Sequence, residues 1–349
     1  MRSILNYLNI INSNPTNRYA LATIIHIKGS AYRHEGAKML FSENGERFGT
    51  ISAGCLEEDL SHHALEVIQS QGSKVLTYDL SSEDDLTWGQ SAGCNGAVTI
   101  YLECVQSNFN LYLVEMEEQL KNGDSLLLIK VLDEHFNIVM GLNITTGKYY
   151  GNAVDDHLKK YLHEFNGIQQ GDVMLCKDRL YGEVIIEKIE PKENLYIFGA
   201  GPDVEPIVNV ASKLDFVINI IDPRSDYCNK SNFPKANSLI IDHPDSYLKH
   251  NKVPENSYVL IMTHNFNWDR NILRHFINDP PYYLGILGPK KRTQRLLANE
   301  NVPTWISSPV GLEINAEGAE EIGISIAAEL IQMKNAKVSV KSSKGKLLV

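Results

Sequence analysis

The period of the apolar positions changes near residue 190. Before that point they form short alternating runs. Leu21–Ile27 reads as a strand, and Lys38–Ser42 and Glu46–Ser52 read as two more, folded back through Asn44-Gly45. That dipeptide accepts the left-handed backbone a tight hairpin turn requires. At the start of the chain, Ile4, Leu5, Leu8 and Ile11 recur at a helical period. A helix is predicted over Leu56–Gln69, with strands near Lys74–Leu80 and Ala97–Glu103. A helix over Leu111–Lys121 follows, then strands around Ser125–Leu132 and Phe136–Gly141. The strand-rich stretch Val173–Glu190 ends at Pro191.

From Leu195 onward, short apolar runs alternate with helical stretches. The strands are Leu195–Phe198, Val217–Ile221, Ser238–Ile241, Tyr258–Met262 and Tyr283–Leu287. Helices fit Asp203–Lys213, Trp268–Asn278, Lys290–Asn299 and Ala319–Met333. Strands that are apolar on both faces and separated by helices predict a doubly wound parallel sheet of Rossmann-like α/β type. The pattern divides the chain into a mixed α+β domain over 1–190 and a Rossmann-like domain over 191–349. The Lys- and Ser-rich tail 335–349 is expected to fray.

Composition narrows the functional classes. Of 349 residues, 43% are hydrophobic and 22% charged, enough for two real cores. A net charge of -10 argues against general binding to nucleic acid or an anionic membrane, which requires a basic footprint. No stretch approaches the ~18 apolar residues of a membrane span. Five cysteines without a secretory leader read as reduced thiols in a cytoplasmic protein.

Two of those cysteines sit in glycine-rich turns. Cys55 lies in Ser52-Ala53-Gly54-Cys55-Leu56-Glu57-Glu58, and Cys94 in Gly89-Gln90-Ser91-Ala92-Gly93-Cys94-Asn95-Gly96. Small, loop-like neighbours leave a sulfur open to a ligand. Unpaired N–H groups at the start of the helix after Cys55 favour a thiolate, while Glu57, Glu58 and Asp59 oppose it. No Cys-x-x-Cys pair suggests zinc.

In a doubly wound sheet the ligand lies beyond the carboxyl ends of the strands. Following those ends are Gly199-Ala200-Gly201, Asp222-Pro223-Arg224, Thr263-His264-Asn265 and Gly288-Pro289-Lys290-Lys291-Arg292. Gly199 and Gly201 begin a dinucleotide fingerprint, and Asp222 stands where a ribose-binding acid belongs. The fingerprint is damaged, however. Val204 occupies the third glycine position, Pro202 lacks an N–H, and Asp203 sets a carboxylate against a pyrophosphate. Asp222 is read either as a ribose contact or as a turn residue. Lys290, Lys291 and Arg292 are read as an anion contact or a solvated helix start. His264 could donate a proton, touch a ligand or simply satisfy a loop.

Taken together, these segments resemble the XdhC/CoxI family, accessory proteins of xanthine dehydrogenase and related molybdenum hydroxylases. The resemblance runs through Lys28-Gly29-Ser30-Ala31-Tyr32-Arg33-His34-Glu35-Gly36-Ala37-Lys38-Met39, both cysteine turns, Phe198–Gly201, Asp222–Arg224, Thr263-His264, Gly285–Gly288, Pro309–Leu312 and Ala319–Glu329. It implies a maturation chaperone rather than an enzyme with turnover. Such a protein would bind molybdenum cofactor, as molybdopterin or a dinucleotide form, and deliver it to an apo-hydroxylase. A cysteine desulfurase partner and a homo-oligomeric state are part of the same expectation. Cys55 and Cys94 would then touch molybdenum or carry sulfur. Arg33 and Lys38 would pair with phosphate or oxo groups. Gly199, Gly201, Asp222, Arg224, His264, Lys290, Lys291 and Arg292 would line the cofactor site. The chain departs from the family pattern at Ala53, Asn95, Tyr32, Pro289 and Pro202-Asp203. The competing reading is an NAD-dependent oxidoreductase or a cysteine-based redox protein.

Overall fold

The structure is a computed structural model that describes residues 4–52, 54–80, 96–105, 107–131, 139–144, 146–151, 156–164, 173–298 and 301–345. Cys94, Asn95 and Ala53 lie outside the described residues. The chain divides into two compact units, Met1–Pro191 together with Ser342–Val349, and Lys192–Lys341.

The first unit begins with α1 (Ile4–Ser13), β1 (Tyr19–Gly29), β2 (Lys38–Ser42), β3 (Arg47–Gly49), α2 (Glu57–Ser70), β4 (Ser73–Asp79) and β5 (Gly96–Val105). It continues with α3 (Ser107–Lys121), β6 (Leu126–Val131), β7 (Val139–Asn143), β8 (Tyr149–Gly151), α4 (Asp156–Glu164), β9 (Val173–Asp178) and β10 (Gly182–Ile189). Its strands form two five-stranded antiparallel sheets, ordered β3-β2-β1-β5-β4 and β8-β7-β6-β10-β9. The Asn44-Gly45 turn joins β2 to β3 as expected, with Gly45 at φ 85°. The strand predicted over Glu46–Ser52 stops at Gly49, which turns at φ 94°. Beyond it, the N–H groups of Ile51 and Ser52 go to the Glu57 carboxylate instead of a neighbouring strand.

Strand β1 is buried from Tyr19 to Ile25 because both of its faces are covered. Ala20, Ala22 and Ile24 pack in one cluster with Leu60, Ala64, Val67 and Ile68 of α2, whose spacing makes a single helical face. Tyr19 and Leu21 face the other way, toward α1 and β6. Two buried ion pairs, Lys38–Glu187 and Lys130–Glu103, join one sheet of the unit to the other.

The second unit contains β11 (Glu193–Phe198), α5 (Val204–Ala211), β12 (Phe216–Ile221), β13 (Ser238–Ile240), α6 (Pro244–His250) and β14 (Tyr258–Ile261). After these come α7 (Phe266–Asn278), β15 (Tyr283–Ile286), α8 (Lys290–Leu296), β16 (Ile306–Ser307) and α9 (Gly318–Gly345), which belongs to this unit as far as Lys341. All pairings in its sheet are parallel, in the order β13-β12-β11-β14-β15-β16. This is the doubly wound Rossmann-like arrangement, with the strand order reversing between β11 and β14. One face buries Val204, Ile207 and Val208 of α5 with Ile326 and Leu330 of α9. The other buries Ile272, Leu273 and Phe276 of α7 with Leu296 of α8.

One helix end differs from expectation, and α9 runs on to Gly345. Helix α8 stops at Leu296, and Ala298 takes a left-handed φ of 55°. The short α6 carries too few turns to show a period. It is set by His243, whose ring accepts the Asp245 N–H, and by Pro244 in the first turn.

Candidate functional site

The crevice of the second unit is built from the loops at the carboxyl ends of its strands. Directly after β11, Gly199 has φ 118°. A side chain there would collide with the Met262 carbonyl at the end of β14, so only glycine lets the loop pass this close. The next residue, Ala200, donates its N–H to Asp222 Oδ2 at 2.8 Å.

Asp222 follows β12 and is 1% exposed. Its Oδ1 accepts from the Arg224 N–H and from Arg224 Nε, both at 2.9 Å, and its Oδ2 also accepts from the Arg224 guanidinium at 2.6 Å. Burial works against the carboxylate, but the hydrogen bonds from Arg224 and Ala200 outweigh it and hold its pKa below the usual value. The same pairing raises that of Arg224. The Arg224 guanidinium also lies 4.5 Å from the centre of the Tyr227 ring. Both oxygens of Asp222 are thus engaged by the protein itself. What this loop presents outward is Arg224, whose side chain is 42% exposed.

Two further aspartates pair with candidate side chains nearby. A Cβ on Gly201 would meet the Asp203 carboxylate and stand 3.8 Å from the His264 ring. His264 Nε2 lies 2.9 Å from Asp203 Oδ2, and His264 itself is left-handed at φ 57°. Histidine, like asparagine and aspartate, is among the side chains that adopt that conformation most readily. Beside it, Thr263 Oγ1 donates to Asp269 Oδ1 at 2.5 Å, and Arg292 donates to Asp269 Oδ2 at 2.6 Å. Asp269 is 2% exposed. Asn265 caps α7 by accepting the N–H groups of Asn267 and Trp268. Arg224, His264 and Arg292 are thus each paired with an aspartate beyond the carboxyl ends of the parallel strands. Lys290 and Lys291 are exposed at the start of α8, a helix of seven residues.

In the first unit the expected residues separate. Arg33 donates to Thr50 Oγ1 at 3.1 Å on an exposed loop. Lys38 turns inward, its Nζ 2.5 Å from Glu187 with a side chain 7% exposed, so its charge is taken up by the core. Cys55 is half-buried beside the α2 cluster, after Gly54 at φ 115°. Its turn is held from behind. Ser52 Oγ accepts the N–H groups of Gly54 and Leu56 and donates to Glu57. Burial opposes the Glu57 carboxylate, yet the hydrogen bonds from Ser52 and Ile51 lower its pKa overall. Among the described residues, no group of His, Cys, Asp and Glu side chains is arranged to hold a metal ion, and no helix is long and apolar enough to cross a membrane.

Sequence reasoning missed Asp269, Ser52 and Glu57 as supports. Asp269 is a plain helix-start acid by pattern, and its pairing in the interior depends on Arg292 arriving from a different helix, α8. Glu57 follows a cysteine turn like any first-turn acid, and nothing in the sequence shows it folding back onto Ser52.

Comparison with known proteins agrees with this architecture. A family model described as the XdhC Rossmann domain matches residues 195–330, and one described as the XdhC and CoxI family matches residues 14–79. The chain is 35% identical over 315 residues to a probable xanthine dehydrogenase subunit of Bacillus subtilis (strain 168), covering 90% of this chain and 92% of that one. It is 22% identical to the molybdenum cofactor insertion chaperone PaoD of Escherichia coli (strain K12), over 90% of this chain and 83% of PaoD. A crystal structure described as a xanthine dehydrogenase from Bacillus halodurans superposes with a TM-score of 0.85 at 38% identity, covering 96% of both chains. The chain belongs to the XdhC and CoxI family.

Proposed function

We propose that this protein binds molybdenum cofactor as cargo and delivers it to an apo molybdenum hydroxylase. The observation that carries the reading is the Asp222–Arg224 pair. In a dinucleotide site the acid after the second strand accepts the ribose hydroxyls. Here that acid is occupied by Arg224 and the Ala200 N–H, and the crevice meets its ligand with a guanidinium instead. Molybdenum cofactor combines a pterin, a dithiolene and a phosphate. Arg224, Arg292 and His264 suit its anionic groups, with Lys290 and Lys291 as exposed supplements. Gly199 and Gly201 keep the loop backbone low. A soft thiolate suits molybdenum, and that role is assigned to Cys55 and Cys94. Arg33 remains a candidate contact, whereas the inward turn of Lys38 removes support for it.

The naming of PaoD as an insertion chaperone, and of the Bacillus subtilis relative as part of a xanthine dehydrogenase, supports a client of that class. Action without turnover, a cytoplasmic setting, homo-oligomerisation and sulfuration by a cysteine desulfurase belong to the same proposal. The test is anaerobic equilibrium binding of molybdenum cofactor to reduced protein, run beside NAD and NADP. Micromolar or tighter cofactor binding with weak nicotinamide binding is expected. Tight NAD binding without cofactor binding would overturn the reading in favour of an oxidoreductase.

A further inference from the structure

We infer that Arg224, seated by Asp222, is a receptor for a phosphomonoester, so that the cargo is the monophosphate form of the pterin cofactor and not its dinucleotide. The inference rests on the cofactor-binding reading and adds to it the form of the ligand.

A dinucleotide needs its pyrophosphate cradled by free backbone N–H groups at the glycine loop. In this chain that cradle is largely dismantled. The Ala200 N–H is given to Asp222, Pro202 has none, and the Asp203 carboxylate lies against Gly201. A bridging pyrophosphate would meet a negative charge and few donors. The sugar-binding acid is equally unavailable, because both Asp222 oxygens are engaged.

What remains favours a terminal phosphate. Arg224 has five N–H donors, of which Asp222 takes Nε–H and one on Nη2, leaving about three. The outer guanidinium edge is therefore free of Asp222, and the Tyr227 ring packs against the group at 4.5 Å. Charge separates the two ligand forms as well. A phosphomonoester carries about −1.5 to −2 near neutral pH and offers three oxygens to a bidentate fork. Each phosphate of a dinucleotide linkage carries less charge and has its ester oxygens blocked. Asp222 acts here as a positioning residue that holds the fork.

The test uses the full chain, reduced and anaerobic, with three probes: the monophosphate cofactor, the same cofactor after phosphatase treatment, and its cytidine dinucleotide. Wild type is expected to bind the monophosphate form about tenfold or more tightly than either other probe, the range of a charge-assisted hydrogen bond. Arg224→Gln should abolish that preference, weakening binding of the monophosphate form by about tenfold more than binding of the phosphatase-treated probe. Arg224→Lys, which keeps a cation on Asp222 and so protects the fold, should retain part of it. Equal binding of all three probes by wild type, or an equal loss for all three in both variants, would overturn the inference while leaving cofactor binding intact. Failure of wild type to bind any of the three would sink the cofactor-binding reading, and this inference with it.

Discussion

Asp222 and Arg224 form a pair with one member inside the protein and one reaching out. The carboxylate is 1% exposed, and the side chain it holds through 2.9 and 2.6 Å hydrogen bonds is 42% exposed. The pair converts an internal charge into an oriented external one. It also makes the crevice sensitive to acid.

Because the Asp222 carboxyl is held below its ordinary pKa, its contribution to stability is complete above the unfolded value, about 3.9, and is lost as pH falls through the lower folded value. Asp222→Asn should reduce stability near neutrality by about 1–3 kcal/mol, since the Ala200 N–H and Arg224 lose an anionic acceptor while Arg224 keeps access to water. The variant should also show a flatter fall in stability below pH 4. Urea unfolding followed by tryptophan fluorescence at several pH values measures both. An unchanged acid slope would mean that the pair contributes nothing to folding.

Gly199 and Gly201 should respond differently to alanine. At Gly199 the new Cβ meets rigid backbone, the Met262 carbonyl, at a φ of 118°. Gly199→Ala is expected to destabilise by about 3–5 kcal/mol. At Gly201 the Cβ meets only the Asp203 side chain, which can swing away. Gly201→Ala should leave the unfolding midpoint nearly unchanged and disturb the Asp203–His264 pair, visible as a shift of the His264 ring resonances. Equal midpoints for the two variants would contradict this geometry.

Glu57 holds the Cys55 turn through Ser52. Glu57→Gln replaces one acceptor oxygen with a donor and faces the Ser52 and Ile51 N–H groups with fewer lone pairs. A loss of about 1–3 kcal/mol follows. The lowered Glu57 pKa means the wild-type contribution is present above about 4.3 and disappears as pH falls through the folded value, so the variant should lack that acid dependence. A looser turn should also label faster at Cys55 with a thiol reagent, read by peptide mass spectrometry. Unchanged labelling would mean that Glu57 does not position the sulfur.

Cys55 is half-buried at the margin of a core cluster, not within it. Cys55→Ala should change stability by less than about 1 kcal/mol and should weaken molybdenum retention, measured as metal bound after gel filtration. The same outcome is expected for Cys94→Ala. Retention equal to wild type in both variants would remove the thiolates from the site.

Lys38 and Glu187 bury opposite charges between the two sheets of the first unit, with side chains 7% and 11% exposed. Removing one strands the other. Lys38→Met alone should destabilise by about 3–5 kcal/mol, while Lys38→Met combined with Glu187→Leu should return within about 1 kcal/mol of wild type. A double-mutant cycle in urea tests it. A small effect of the single change would mean that water reaches Glu187.

The alternation of apolar runs and helical stretches after Leu195 was enough to establish the doubly wound sheet. Strands buried on both faces can be little else when helices separate them. Asn44-Gly45 likewise fixed its hairpin locally, because the turn conformation is a property of those two residues. The candidate loops of the second unit were legible for a related reason: a parallel sheet delivers every strand end to one edge. Charge pairing was not legible. Lys38 and Arg33 look alike in one glycine-rich segment, yet one is buried on a glutamate 149 residues away and the other meets Thr50 on an exposed loop. Asp222 read equally as a ribose contact or as a turn residue. Only the return of Arg224 and the close pass of Ala200 turned it into a support. Local sequence sets backbone preference and periodicity, which act over a few residues. Where a charge goes depends on which distant partner compensates its desolvation, and that is settled when the chain packs.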